Sequence, residues 1–358
     1  MWRRTACLAA LLSTAAMVAP AGAYDVKVEK ISQGFRPLWA LTFGPDNLLY
    51  FTMRNGNIVR LTPQPGPTAA SVTGIFGVPK PRLQDGAGLM GIAVDPEFSD
   101  NGFLYICYSL RNADGTPGNR VSRLHVDGHN FDEETVLLDH LPGDDIHNGC
   151  PLIISPNGDY LFIGTGDGGH AGKAQDPSYL GGKILRIELD GSIPWWNPFF
   201  GSPVWSVGFR NPRGLRFRPD SDELWVTDQG YDTQDEIDLV EKRGNYGWPN
   251  CRGTAICGDI PNYHAAVAEF DHDSNIEISD LAFYKGDTFP QWNGNLLFAS
   301  LKTGRLYRAV MDGDKIVRTD IVIDGEYGRL SGIAEGPDGL LYIATDNDDD
   351  AVLRVSPN

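Results

Sequence analysis

Positive charge is scarce in this chain. Its 358 residues hold 30 Lys and Arg against 47 Asp and Glu, a formal charge of −17. A surface this acidic is repelled by DNA and RNA phosphates unless its few cations gather at one place, so nucleic acid is not an expected partner. Long apolar runs are also missing. The first 23 residues, "MWRRTACLAALLSTAAMVAPAGA", have an arginine-bearing start, an apolar stretch and a small-residue ending before Tyr24. This is the pattern of a cleaved secretory signal. Its apolar part is too short and alanine-rich for a membrane span, and nothing later approaches the roughly 20 apolar residues that a span needs. The expectation is a periplasmic or secreted protein with no membrane span and one catalytic domain over 24–358. Loss of Arg3 and Arg4 with the signal leaves 28 basic residues and a charge of −19.

Cysteine is sparse, with five in the chain, and Cys7 leaves with the signal. Cys107, Cys150, Cys251 and Cys257 can pair in three ways in an oxidising compartment. Cys251 with Cys257 is the preferred pair, because it closes a short loop in "NCRGTAICG". None of the four has paired C-x-x-C spacing, which argues against a zinc site.

Helical periodicity is rare, and what replaces it is a repeat. A short apolar strand, a turn built on Pro-Asp or Gly-Asp, and a second apolar or aromatic strand recur six times, at 39–52, 89–109, 151–167, 214–230, 281–301 and 331–347. Six copies spaced by about 50 to 65 residues predict an all-β, six-bladed β-propeller. Each copy supplies the two inner strands of a blade, and segments such as "GNIVRLTPQ" and "GKILRIELDG" supply outer strands.

The repeat also places residues. In an antiparallel hairpin the start of the first strand and the end of the second lie at the same end. In a propeller those ends surround one mouth of the central channel. Strand starts bring His147, Arg210, Asn211 and Arg329 there, and strand ends bring Arg54, Asp167, Asp228, Gln229 and Lys302. Cations confined at one mouth of an acidic protein repel one another unless a multiply anionic small molecule sits among them. Arg210 and Arg329 suit bidentate carboxylate binding, and Lys302 suits a point contact. His147 faces this mouth, with Asp167 of the same hairpin near enough to orient its ring.

The stretches "GLMGIAVDPEF", "HNGCPLIISPNGDYLFIGTGDGG", "GGKILRIELDGSIPWWNPF", "VWSVGFRNPRGLRFRP", "TDQGYDTQDEIDLVEKRGNYGWPN" and "NLLFASLKTGRLYR" resemble, in order, the soluble pyrroloquinoline-quinone (PQQ)-dependent glucose/sorbosone dehydrogenases, including bacterial aldose sugar dehydrogenases. The resemblance runs from about residue 35 to the C-terminus. It implies that His147 is the general base for a sugar hydroxyl and that Asp167 holds and polarises it. It implies that Arg210, Asn211, Lys302 and Arg329 bind the cofactor, and Gln229 joins them at the mouth. It further implies that the backbone carbonyls of Gly230 and Tyr231 hold a Ca²⁺ ion, a hard cation suited to oxygen ligands and to Lewis-acid catalysis. The implied cofactors are PQQ and Ca²⁺, and the implied partners are a sugar and an external electron acceptor.

Three departures bear on the substrate. Ile146 stands where the glucose dehydrogenases have an acid before the histidine. Ser331 stands where they have a second arginine, and Gly86 takes the place of a glutamine that Gln84 would have to supply. These leave a broader aldose, or an aldehyde such as sorbosone, as open as glucose. Other features read as ordinary. "DNDDDA" is an acidic turn closing the last blade, and Tyr246 and Trp248 pack the fold. Trp195 and Trp196 suit blade packing at least as well as sugar stacking. His170 and Gln175 are weaker candidates for the pocket lining. Two other classes stay open: a metal-dependent lactonase-type hydrolase using Asp167 and Asp228, and a non-catalytic extracellular binding propeller.

Overall fold

The computed structural model describes residues 18–19 and 26–358, apart from 65–69, 79–80, 85, 129, 232–233 and 271–275. The segment read as an export signal lies outside the described residues except Val18–Ala19, which run parallel to Thr319–Asp320.

Each of the six repeats forms the inner hairpin of a blade. The second strands Leu49–Met53, Leu224–Asp228, Leu296–Ser300 and Leu341–Thr345 are buried along their whole length. They lie between neighbouring blades, so both faces meet apolar side chains and the sequence shows no polar alternation there. Sequential antiparallel strands complete the first five blades, starting at Leu38, Leu89, Gly149, Pro212 and Ile278. The sixth is closed differently. Val26–Phe35, from the start of the described domain, pairs with the last strand Asp350–Pro357 and so ties the two ends of the ring. Leu38 N donates to the buried Asp350 at 2.9 Å, joining the first blade to the last. That bond accounts for "DNDDDA" as a structural turn.

The innermost strand of every blade carries a β-irregularity near its mouth end. The register slips between Leu38 and Leu41, Leu89 and Ile92, Gly149 and Leu152, Pro212 and Gly214, Ile278 and Leu281, and Leu330 and Gly332. A bulge leaves one residue unpaired and re-aims its side chain. Here the bulges ring the throat of the channel.

Two disulfides join the described cysteines. Cys251–Cys257 is the expected pair, and Cys107–Cys150 links the second blade to the strand that follows His147.

Candidate active site at one channel mouth

The loop before the third blade is locally strained. His147 has φ +51°, Gly149 +63° and Cys150 +78°, and a non-glycine residue rarely adopts such values without surrounding support. The support is visible. Gly168 N donates to the His147 carbonyl at 3.1 Å. A Cβ on Gly166 would overlap that same carbonyl, so only glycine lets the two strand ends approach so closely.

This backbone brings His147 Nδ1 to 2.8 Å from Asp167 Oδ1. Asp167 is buried, with 1% of its surface exposed, and its carboxylate is fully engaged. Gly169 N donates to Oδ1 at 2.8 Å, and the Trp248 indole donates to Oδ2 at 2.9 Å. Burial pushes this carboxyl up, but the His147 contact, with the Trp248 and Gly169 donors, outweighs it and holds the group below the usual carboxylate range. An ionised Asp167 fixes the proton of the imidazole on Nδ1 and leaves Nε2 with a lone pair.

The neighbouring hairpin is bolted to this pair. Asp167 N donates to the Arg210 carbonyl at 2.8 Å, and Gly149 N donates to Asn211 Oδ1 at 3.0 Å. Asn211 Nδ2 in turn donates to Gln229 Oε1 at 2.7 Å, and Arg210 Nη1 donates to the Gln229 carbonyl at 2.9 Å. Asp228 spends both oxygens on the backbone amides of Arg210 and Asn211, at 2.8 and 2.6 Å. It is a buried turn clamp that does not line the cavity at this mouth, which argues against it as the metal ligand of the hydrolase reading.

A cavity of about 400 Å³ opens here, lined by His147, Arg210, Asn211, Gln229, Gly230 and Arg329, with Arg54, Arg213 and Trp39 deeper or across from them. The structure therefore gathers most of the expected residues around one space. Lys302 is exposed beside lining residue Leu301, and Tyr231 is exposed outside the lining. Arg329 already carries Glu277 and Asp346, each at 3.2 Å. Gly230 N is anchored to Asp235 at 3.0 Å. Among the described residues no three Asp, Glu, His or Cys side chains converge to hold a metal. Ile146, half exposed, borders the same space, and Gln84 does not line it.

Trp248, Arg213 and Trp39 escaped the sequence reading. Trp248 was expected only to pack, yet it supplies a donor to Asp167. Gln175 does not line the cavity; its Nε2 donates to the Trp248 carbonyl at 2.8 Å and so holds that loop. Arg213 and Trp39 reach the mouth from the inner strands. Trp195 and Trp196 lie after the Lys183–Glu188 strand, at the far end of the propeller from His147. A larger groove of about 750 Å³ also opens at that turn end, between the last and first blades, but its Lys27, Glu29 and Arg354 already pair with one another.

Fold and site define a six-bladed propeller enzyme whose pocket, at one channel mouth, joins an acid-oriented histidine to a ring of cations. Comparison with known proteins makes this particular. A family model described as glucose/sorbosone dehydrogenase matches residues 35–354, and the chain belongs to that family. It is 31% identical to the aldose sugar dehydrogenase YliI of Escherichia coli, over 97% of this chain and 96% of that one. The crystal structure of the soluble E. coli aldose sugar dehydrogenase in its apo form superposes with a TM-score of 0.83 at 29% identity, covering 93% of this chain and all of the other. The PQQ-bound aldose sugar dehydrogenase of Streptomyces coelicolor superposes with a TM-score of 0.80 at 29% identity, covering 94% and 99%.

Proposed function

We propose that this protein oxidises an aldose, or a sugar aldehyde such as sorbosone, with PQQ and Ca²⁺ bound at the mouth and His147 as the general base. The observation that carries the reading is the His147–Asp167 pair set beside the cation-lined cavity. The donor set suits a flat polycarboxylate. Arg210 and Lys302 offer charged donors, Asn211 and Gln229 offer amides, and among the described residues no carboxylate pairs with Lys302. The Gly230 and Tyr231 carbonyls would hold the Ca²⁺, which would supply Lewis-acid polarisation to the bound cofactor. When bound, the quinone supplies acceptance of the hydride that leaves the sugar carbon.

The chain's own residues do the rest. His147 Nε2 takes the proton of the hydroxyl on the reacting carbon, that of a cyclic aldose or of a hydrated aldehyde, as the hydride departs, so that carbon loses two electrons and becomes a carbonyl. Asp167, ionised and held by three donors, stabilises the imidazolium that results. The backbone clamps from Asn211 and Asp228 keep the two hairpins in register, so the base does not drift from its target. The relatives named as aldose sugar dehydrogenases support this substrate class. The two disulfides, together with the N-terminal segment, support export to an oxidising compartment, with a mature chain starting near Tyr24 and electrons passing to an external acceptor.

Reconstitution tests the proposal. Apo protein stripped with a chelator and given PQQ alone is expected to reduce little dye with an aldose, and Ca²⁺ is expected to restore turnover. Full activity in metal-free solution removes Ca²⁺ from the mechanism, and no activity with both cofactors on any aldose or sugar aldehyde removes the reading.

A further inference from the structure

The six bulges aim one residue or residue pair per blade at the throat below the mouth, where a small space is bordered by Trp39, Gly91, Pro151, Arg213, Asp280 and Ser331. Two of these are ionisable. Asp280 is spoken for, since Arg216 Nη2 reaches its Oδ2 at 2.8 Å and the amides of Leu281 and Ile333 also donate to it. Arg213 is different. It is the unpaired residue of its bulge, because Pro212 faces Asp228 and Gly214 faces Thr227. Its guanidinium is half-buried 4.0 Å over the Trp39 ring, and among the described residues it has no hydrogen bond and no ion pair. The carboxylates that act on it through space, Asp346 and Glu277, are each already bonded to Arg329. Burial pushes the group down to about 10, and the nearby Arg329 and Arg54 push the same way.

A guanidinium held in a confined throat with its donors unused is costly unless something accepts them. Ser331 occupies the equivalent bulge position two blades on, between Leu330 and Gly332, and offers only a hydroxyl, which is turned to the carbonyls of Ala344 and Thr345 at 3.3 and 3.5 Å. The throat's free positive charge thus comes from the fourth blade. We infer that Arg213 is a binding residue for a carboxylate of the ligand in the mouth, gripping the end that reaches deepest into the channel while Trp39 backs its guanidinium. This rests on the reading of the mouth as a site for a polycarboxylate cofactor, and it adds a contact to that site.

The test measures PQQ affinity by absorbance titration of the Ca²⁺-loaded apo protein, as wild type, Arg213→Gln and Arg213→Lys, with melting temperatures as the folding control. The expected result is a loss of about 10- to 100-fold for Arg213→Gln, the scale of a charged hydrogen bond, and a smaller loss for Arg213→Lys. Affinity within two-fold of wild type in Arg213→Gln overturns the inference. If Arg213→Gln does not fold, Arg213→Met, which keeps an aliphatic stem over Trp39, takes its place in the same comparison. A wild type that takes up no PQQ is a failure of the proposed function instead. The inference is then read with citrate as the probe. A citrate-dependent rise in melting temperature that Arg213→Gln abolishes sustains it, and an equal shift or none overturns it.

Discussion

Trp248 and His147 hold the two oxygens of one carboxylate: the indole donates to Asp167 Oδ2 at 2.9 Å, and His147 Nδ1 lies 2.8 Å from Oδ1. Trp248 belongs to a loop of the fourth blade, whereas Asp167 and His147 belong to the third. The orientation of the base therefore depends on contact between blades.

Trp248→Phe is expected to keep the ring packing and lose the donor. Asp167 would lose one of the contacts that hold it below the usual carboxylate range. A group with a depressed folded pKa stabilises the fold above its unfolded value, and that stabilisation disappears as pH falls through the folded value. With the donor gone the folded value rises toward the unfolded one. The variant should then be less stable at neutral pH by about 1 to 3 kcal/mol, and the gap to wild type should shrink at low pH. Melting temperatures of both proteins from pH 7 to 3 check this, and a gap that does not change with pH contradicts it.

Lys302→Ala and Arg210→Ala should each weaken PQQ binding by about 1 to 3 kcal/mol, with different salt dependence. Lys302 is exposed, so its contribution should fade as ionic strength rises. Arg210 is half-buried beside the paired Tyr231 and Trp248 rings, 5.8 and 5.6 Å from their centres, and should be less sensitive. Titrations at low and high salt read the difference, and unchanged affinity in both variants would mean that the cofactor binds elsewhere.

Lys183 makes a stability prediction. It is fully buried at the end of the loop that follows Asp167, with Nζ donating to the carbonyls of Ala174 and Gly181 at 2.7 and 2.8 Å and to that of Lys173 at 3.3 Å. Burial pushes this amine down to about 7. Between pH 7 and the ordinary lysine value near 10.4, the unfolded chain binds the proton that the folded chain has released, so folding stability gained from this group rises with pH across that window. Relative to Lys183→Met, which does not titrate, wild type should gain melting temperature from pH 7 to 9.5. A constant difference between the two proteins contradicts the assignment.

Much of the fold was legible because the repeat is local. Each apolar strand, tight turn and second strand lies within about 20 residues, and hairpin geometry alone carries His147, Asp167, Arg210 and Asn211 to the same mouth. Closure of the ring was not legible: Val26 pairs with Pro357, and no local pattern records a partner so distant. Trp248 escaped because it sits in an irregular loop outside the repeating hairpin, in "GNYGWP", where an aromatic residue reads as packing. Arg213 escaped for a different reason. Strand alternation gives the face of a side chain only while the ladder is regular, and Arg213 stands in the bulge that breaks it. The second arginine of "RNPRG" was the available signal. Lys183, inside the apolar strand "KILRIE", was a charge at a core position and marked its burial in the same way.

The mechanism stands or falls on His147 moving the proton. The most direct measurement is aldose-dependent dye reduction per PQQ-occupied molecule in His147→Gln, with occupancy and melting temperature taken on the same sample. Full occupancy, a retained fold and a loss of about 10² to 10⁴ in turnover, the usual contribution of a positioned base, are expected. Near-normal turnover at full occupancy would contradict it and would remove the catalytic role of Asp167 with it.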